Sequence, residues 1–313
     1  MTDPRFMGPR SALARMQQVL VAALLATSVS WVAIFWRHSL ALALTGGLLI
    51  LISHSVFLAI EFFVLWRFGR RGISLPTRAT EIFRAWWHET FDAIQTFYWR
   101  QPFRWRVYAD NLTTGVAGHP RRGVVLVHGF VCNRGFWNPW MRRLRDQKQP
   151  FVAINLEPVF GSIERYVATI EDAVSRITDA TGRPPVVVCH SMGGLAVRAW
   201  LRIGANLERV EHVFTIGTPH AGTWLARFSV TQNARQMQMN SEWLELQRRA
   251  ESVSLAAKFT CWYSNCDNVV FPVQTATLPH AHNRLVRGAA HVDLAFHELV
   301  MADTLAFIAR PLA

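Results

Sequence analysis

The chain has 313 residues, of which 51% are hydrophobic, and it carries a formal net charge of +12 at pH 7. This length accommodates one large domain with an appended segment, or two domains. The basic residues are almost all arginines and form neither a dense run nor a known reader motif, which argues against a nucleic-acid-binding protein.

Two long apolar runs lie near the N-terminus. Residues 19–36 carry no charge, and residues 40–66 contain a single acidic residue, Glu61. A bilayer core needs about 20 apolar residues of helix, so each run predicts a membrane-spanning helix, and the short turn between them predicts a hairpin. Residues 1–71 are therefore predicted to form a membrane anchor. A cleaved signal peptide, with an apolar core of about 7–15 residues, is the competing interpretation.

Positive charges flank this predicted anchor. Arg5, Arg10 and Arg15 precede the first run, whereas Arg37 alone lies in the turn. Arg67, Arg70 and Arg71 follow the second run. The positive-inside rule therefore predicts that both ends of the anchor, and the rest of the chain, lie in the cytoplasm.

Two ionisable residues fall inside the second run. His54 and Glu61 are seven residues apart in the sequence and so lie on one face of the predicted helix. Such residues are candidates for function, but a two-helix hairpin has no room for a transport path. We interpret Glu61 as reaching the membrane interface and His54 as a neutral residue in the helix contact.

An amphipathic helix is predicted within residues 72–103, between the anchor and the rest of the chain. Its large apolar residues recur at steps of three and four, the spacing of one helix face: Phe83, Trp87, Phe91, Ile94 and Tyr98. This face either lies among lipid headgroups or packs against the following domain, and both interpretations stay open.

Residues 104–313 alternate between apolar strands and amphipathic helices. The predicted strands are 124–127, 152–156, 186–189, 210–216 and 259–263. The predicted helices are 140–147, 163–180, 192–203 and 295–309. This alternation predicts an α/β fold with an open, mostly parallel sheet covered by helices on both faces. The connection 223–254 is unusually long, and it is either a lid over the site or a plain packed helix.

The strand at 186–189 leads directly into Ser191, and the next helix begins at Met192. This is the context of a nucleophile elbow, in which a sharp strand-to-helix turn presents the serine hydroxyl above the sheet. Small residues are needed two positions before and after the serine, because backbone segments crowd there. Gly193 meets this need, and Cys189 stands where glycine is usual.

Several stretches of residues 104–313 resemble the α/β-hydrolase superfamily, and within it the bacterial lipases and esterases. They are the His-Gly-Phe loop at 128–130, the elbow at 189–194, the GTPHAGT segment at 217–223, and the stretches 264–272 and 288–291. The resemblance implies an α/β-hydrolase fold with a serine nucleophile. It also implies that four residues support the elbow and the neighbouring loop, namely His128, Gly129, His190 and Gly193.

The other members of a catalytic triad should follow the serine in the order acid, histidine. Asp267 comes shortly after the strand 259–263, at a strand end where the fold places the acid, and Asp293 is the second candidate. His291 follows small residues that would let its loop curl back over Ser191. The competing histidines are His280, His282 and His297.

These residues predict acyl transfer through a covalent intermediate. His291 would take the proton of Ser191, and Asp267 would orient the imidazole and stabilise its cation. The backbone N–H groups of Phe130 and Met192 would form the oxyanion hole.

No metal site is predicted. His280 and His282 could act as a pair of ligands, but no third ligand has suitable spacing, and the four cysteines have no zinc-ligand pattern. A disulfide between Cys261 and Cys266 stays open. We expect that catalysis needs neither a metal nor an organic cofactor.

We therefore predict a membrane-anchored serine hydrolase that cleaves lipid-like carboxylic esters. A thioesterase or acyltransferase with the same triad is an alternative, and a catalytically silent membrane scaffold of hydrolase fold is another. The anchor and the resemblance to bacterial enzymes imply a multi-pass protein of the bacterial inner membrane with a cytoplasmic catalytic domain at 104–313.

Overall fold

The computed structural model describes residues 11–69, 77–113, 121–204 and 207–310. Arg5, Arg10, Arg70 and Arg71, on which the predicted orientation partly rests, lie outside these ranges. The first five helices are α1 Ala12–Phe35, α2 Leu40–Leu51, α3 Ser53–Phe68, α4 Ala79–Ala93 and α5 Gln101–Phe103. The others are α6 Asn138–Asp146, α7 Val167–Thr181, α8 Met192–Ile203, α9 Gln232–Gln236, α10 Glu242–Ala250, α11 Val253–Ala257, α12 His291–Phe296 and α13 Glu298–Ala309.

Six parallel strands form one sheet in the order β2-β1-β3-β4-β5-β6. The strands are β1 Val124–Val127, β2 Phe151–Ala153, β3 Val186–His190, β4 His212–Ile216, β5 Phe259–Ser264 and β6 His282–Val286. The predicted α/β class and parallel sheet are confirmed. Strand β6 was not predicted, because its first three residues are polar and exposed, as befits the edge of a sheet, and so lack an apolar pattern.

Alternate residues of the central strands supply two separate cores, one on each face of the sheet. Val125 and Val127 pack with the apolar sides of α7 and α8. Val124 and Leu126 point to the other face and pack with α6 and α13, where Trp140 is fully buried. Because both faces are covered, each central strand is a nearly continuous apolar run.

The N-terminal helices differ from the predicted pair of straight spans. Helix α1 is long and apolar enough to cross a membrane, whereas the second apolar run is split into α2 and α3 with a bend of 56°. After the bend, Phe62 and Leu65 of α3 are buried against Phe271 and Ala290 of the α/β part of the chain. Helix α3 therefore packs on this part of the chain at an angle to the axis of α2.

Helix α4 uses two faces differently. Its small residues, Ala85 and Ala93, are buried, whereas Phe83, Trp87 and Phe91 keep 64%, 51% and 49% of their surface exposed. The helical run then continues through a π-helix at Ile94–Arg100 into α5. The small-residue face therefore packs inward, and the aromatic stripe of the predicted amphipathic helix is exposed.

The long connection at 223–254 contains a 3-10 helix at Trp224–Phe228 together with α9 and α10. Met237 and Leu244 of this segment are buried in the core on one face of the sheet, together with Val125 and Val127. Its role as a lid stays a prediction. Cys261 and Cys266 are both free buried thiols, so the disulfide that the sequence left open is not formed.

Candidate active site

Ser191 lies at the sharp turn between β3 and α8, with φ 54° and ψ −129°. A residue other than glycine adopts this conformation only when its surroundings impose it. Its N–H donates to the carbonyl oxygen of Ile216 at 2.9 Å, and its own carbonyl oxygen accepts from the hydroxyl of Thr218 at 2.9 Å. The turn is therefore held from both sides, and the side chain sits in a confined place with 7% of the residue exposed.

Two glycines allow the loop after β1 to approach this turn. A Cβ atom at Gly193 would lie 2.5 Å from the carbonyl oxygens of both Val127 and His128. A Cβ atom at Gly129 would lie 2.7 Å from the Cβ atom of Ser191. Both distances are shorter than real contacts allow, so larger residues would push this loop away from the serine.

Asp267 and His291 form a buried pair. Nδ1 of His291 lies 3.0 Å from Oδ1 and 2.9 Å from Oδ2 of the carboxylate. Oδ1 also accepts the backbone N–H groups of Val269 and Val270 at 2.9 and 2.7 Å. These bonds fix the carboxylate, which in turn directs the Nδ1–H tautomer and leaves Nε2 as the basic nitrogen.

The third predicted member lies close to this pair. His190, the residue before Ser191, has its ring centroid 4.6 Å from that of His291. Among the described residues, no hydrogen bond joins Oγ of Ser191 to the imidazole of His291. Catalytic hydrogen bonds are often long before substrate binds and then tighten.

Two backbone N–H groups near the serine have no acceptor within the described part of the chain, those of Phe130 and Met192. Met192 follows the serine at the start of α8, and Phe130 follows Gly129, whose backbone lies against the serine. The N–H of Met192 lies at the N-terminus of α8, a position that favours an anion, and the N–H of Phe130 is a second unpaired donor on the loop that lies against the serine. Both groups therefore suit the predicted oxyanion hole.

His128 and His190 are structural supports. His128 donates from Nδ1 to the carbonyl oxygen of Gly129 at 2.9 Å and accepts the N–H of Leu156 at Nε2 at 3.0 Å. Burial lowers the pKa of His128 to about 4 and that of His190 well below its usual value. His190 donates from Nε2 to the carbonyl oxygen of His291 at 3.1 Å. Neutral imidazoles thus anchor both loops.

A sequence model described as the alpha/beta hydrolase family matches residues 124–306, which is more than half of the chain. The chain belongs to the alpha/beta hydrolase family. No curated protein matches the sequence.

Solved structures share the hydrolase fold at low identity. The mature form of Bacillus licheniformis lipase BlEst2 is 17% identical with a TM-score of 0.55, over 63% of this chain and 95% of that one. Aspergillus fumigatus lipase B is 17% identical with a TM-score of 0.52, over 64% of this chain and 55% of that one. At this identity the likeness concerns the fold alone.

Within this hydrolase fold, the GTPHAGT segment lines the site. Gly217 has φ 57°, and a Cβ atom there would lie 3.0 Å from Oδ2 of Asp267 and 3.2 Å from Nδ1 of His291. Thr218 holds the carbonyl of Ser191. From the sequence, this segment indicated only the family resemblance. It did not reveal that Gly217 allows the close approach of Asp267 and His291 or that Thr218 binds the carbonyl of Ser191.

The alternative acid and histidines that the sequence offered do not take part in the Asp267–His291 pair. Asp293 lies in the first turn of α12 and makes no hydrogen bond with His291 within the described ranges. His280 and His282 are exposed on the surface. Among the described residues, the candidate acid and histidine that pair with each other are Asp267 and His291.

Three further residues around His291 were not predicted from the sequence to belong to the site. Oδ1 of Asn268 accepts the backbone N–H of His291 at 3.1 Å, and its amide donates to Glu61 at 2.7 Å. Glu89 accepts the N–H of Val292 at 3.0 Å. Glu61, which the sequence predicts to reach a membrane interface, contacts Asn268 of the hydrolase domain. The one sequence signal for these contacts was Glu61, an acid inside the apolar run 40–66.

Proposed function

We propose that this alpha/beta hydrolase is a serine hydrolase that cleaves carboxylic esters through an acyl-enzyme intermediate. The observation that carries the proposal is the buried Asp267–His291 pair beside Ser191, a serine held in a nucleophile-elbow conformation. A buried acid that orients a histidine next to such a serine is the arrangement that activates a hydroxyl for acyl transfer.

The reaction begins when Nε2 of His291 removes the hydroxyl proton of Ser191 and the serine oxygen attacks the ester carbonyl. Asp267 stabilises the resulting imidazolium. The N–H groups of Phe130 and Met192 receive the developing oxyanion, and losing one such donor typically costs about 100- to 1,000-fold in rate. The imidazolium protonates the leaving alcohol, and water activated by His291 then releases the acid and frees the serine.

Lipid-like esters are the proposed substrates. Phe130 packs edge-to-face on Phe160 with ring centroids 5.9 Å apart, and Phe160 is exposed. This places apolar surface beside a proposed oxyanion donor, where an acyl chain would lie. The two similar folds whose names identify them as lipases are consistent with this substrate class.

Membrane attachment is the second part of the proposal. Helix α1 is 24 residues long with a mean hydropathy of 2.0 over an 18-residue window, and the bent pair α2–α3 is a further candidate span. If the anchor lies in a bacterial inner membrane, the flanking arginines place the catalytic domain on the cytoplasmic side. The exposed aromatic stripe of α4 suits the headgroup region.

A fluorophosphonate probe tests the nucleophile, because it reacts only with an activated serine. We expect the probe to label the full-length protein in detergent, and Ser191→Ala to abolish labelling. Labelling that persists in this variant, or no labelling of the wild type, would contradict the proposal. Parallel assays with oxygen esters, thioesters and amides of matched chain length then distinguish an esterase from a thioesterase.

A further inference from the structure

Glu89 of α4 holds the backbone immediately after His291. Both of its carboxylate oxygens lie 3.0 Å from the N–H of Val292, and one lies 3.0 Å from the N–H of Asp293. These N–H groups belong to the first turn of α12, where a helix has no internal acceptors for them. Glu89 is only 2% exposed. A buried carboxylate from outside the hydrolase sheet thus caps the helix that begins at His291.

Glu61 of α3 reaches the same histidine through Asn268. The amide of Asn268 donates to Oε2 of Glu61 at 2.7 Å, and its carbonyl oxygen accepts the N–H of His291 at 3.1 Å. Because one bond uses the amide nitrogen and the other the amide oxygen, together they fix which way the Asn268 side chain faces. Asn268 directly follows Asp267, so the connection touches both members of the Asp267–His291 pair.

A second relay of the same kind lies three residues away along both loops. The side-chain oxygen Oδ1 of Asn265 accepts the N–H of Gly288 at 2.9 Å, and the side-chain nitrogen Nδ2 lies 3.5 Å from Oε2 of Glu81. Glu81 also pairs with Arg287 at 3.1 Å. Acids of α3 and α4 therefore bind the chain before His291 through Glu81, at His291 through the Glu61–Asn268 connection, and after it through Glu89.

We propose that Glu61 and Glu89 are positioning residues for His291, so that helices α3 and α4 complete the active site instead of only tethering it. This inference rests on the proposed serine-hydrolase function. The imidazole needs both a partner for Nδ1, which Asp267 provides, and a fixed backbone, which the two glutamates provide. An error of about 1 Å in the placement of a catalytic group can lower the rate about 100-fold.

The main alternative to a positioning role is that these acids only stabilise the packing of α3 and α4 against the hydrolase domain. The first-order rate constant of fluorophosphonate labelling at saturating probe separates the two roles. Loss of folded protein lowers the amplitude of labelling, whereas displacement of the imidazole lowers its rate constant. The comparison uses the full chain in detergent micelles.

Four variants form two matched pairs. Glu89→Ala removes both acceptors for the backbone of α12, whereas Glu89→Gln keeps one. Glu61→Leu removes the acceptor for Asn268, whereas Glu61→Gln keeps a carbonyl oxygen there. We expect labelling rate constants about 10- to 100-fold below wild type for Glu89→Ala and Glu61→Leu, and smaller losses for the glutamine variants. For a small soluble ester, kcat should fall while KM changes less than about twofold.

Asp92→Asn is the control, because Asp92 is a half-buried acid on α4 that makes no hydrogen bond within the described residues. Its labelling rate constant should match the wild type. Unchanged rate constants in both Glu89→Ala and Glu61→Leu, with a labelled wild type, would overturn the positioning role alone. If Glu89→Ala does not fold, Glu89→Gln and Glu61→Leu decide the question. An unlabelled wild type would instead contradict the proposed function.

Discussion

The hydroxyl of Thr218 donates a hydrogen bond of 2.9 Å to the carbonyl oxygen of Ser191. The same carbonyl accepts the N–H of Gly194 at 3.1 Å. Because Ser191 has a φ of 54°, its peptide groups need partners that hold them in an unfavourable orientation. Thr218 is fully enclosed and supplies one of these partners from the neighbouring strand end.

Thr218→Val should loosen the turn at Ser191. The substitution preserves shape but removes one of the two hydrogen bonds to this buried carbonyl, which costs about 0.5–1.5 kcal/mol. We expect a lower apparent melting temperature in detergent and slower fluorophosphonate labelling. Thr218→Ser keeps the hydroxyl and should behave like the wild type in labelling. Equal melting and labelling of the valine variant would contradict a role for this hydrogen bond.

Asp267→Asn should disable hydrolysis while preserving the fold. An amide no longer directs the Nδ1–H tautomer of His291, and in serine hydrolases this change typically lowers kcat about 10,000-fold. Steady-state hydrolysis of a soluble ester measures the effect. Asp293→Asn is the matched control, because Asp293 is a neighbouring acid that makes no hydrogen bond with His291 within the described residues. If both variants lost activity equally, Asp267 would not be the orienting acid.

Gly217→Ala should reduce activity far more than stability. Its φ of 57° disfavours alanine by about 1–2 kcal/mol, and the new Cβ atom would lie 3.0 Å from Oδ2 of Asp267. Gly182→Ala is a close control, because φ there is 70° but no atom lies within 4 Å of a Cβ atom. Both variants should lose similar stability in thermal melts, and only Gly217→Ala should lose hydrolysis, by about 100-fold or more.

The strand-to-helix turn at Ser191 could be predicted from the sequence because its parts are contiguous. An apolar strand, a serine and a helix follow one another within a few residues, and Gly193 marks the crowded side of the turn. Central strands could be found for a similar reason, since burial on both faces leaves an apolar run. The edge strand β6 escaped because exposed polar residues carry no such signal.

Contacts between distant segments could not be predicted. Glu89 and the N–H of Val292 are 203 residues apart in the sequence, and nothing in either neighbourhood indicates the other. The same applies to the bend after α2, which depends on how α3 packs against the catalytic domain. Periodicity revealed an aromatic stripe on α4, but only tertiary packing determines that its small residues face inward.

Acid should destabilise the protein partly through His212. Burial, aided by nearby His282 and Lys258, lowers the pKa of His212 to about 4, against about 6.5 in an unfolded chain. Between these values the unfolded chain binds a proton that the folded protein does not. Stability is therefore lost as pH falls from about 6.5 to about 4, by up to about 3 kcal/mol for this group.

His212→Asn removes this titration. Melting temperatures of the variant and the wild type, compared at pH 7 and pH 4.5, should show a smaller acid-induced decrease in the variant. Other titrating groups are shared by both proteins and cancel in the comparison. An equal decrease in both would mean that His212 takes up no extra proton on unfolding.

The exposed stripe of α4 should matter only for substrates held in a bilayer. Replacing Phe83, Trp87 and Phe91 together by serine removes large apolar groups that would otherwise sit among headgroups. We expect kcat/KM to fall about tenfold for a long-chain ester embedded in vesicles, because each lost aromatic weakens interfacial contact. Hydrolysis of a short soluble ester should stay unchanged, since about half or more of the surface of each of these side chains is exposed. Serine at Leu246 and Val253, which are exposed apolar residues on α10 and α11, provides the control. A loss on both substrates would place the stripe in folding, and no loss on either would leave α4 without an interfacial role.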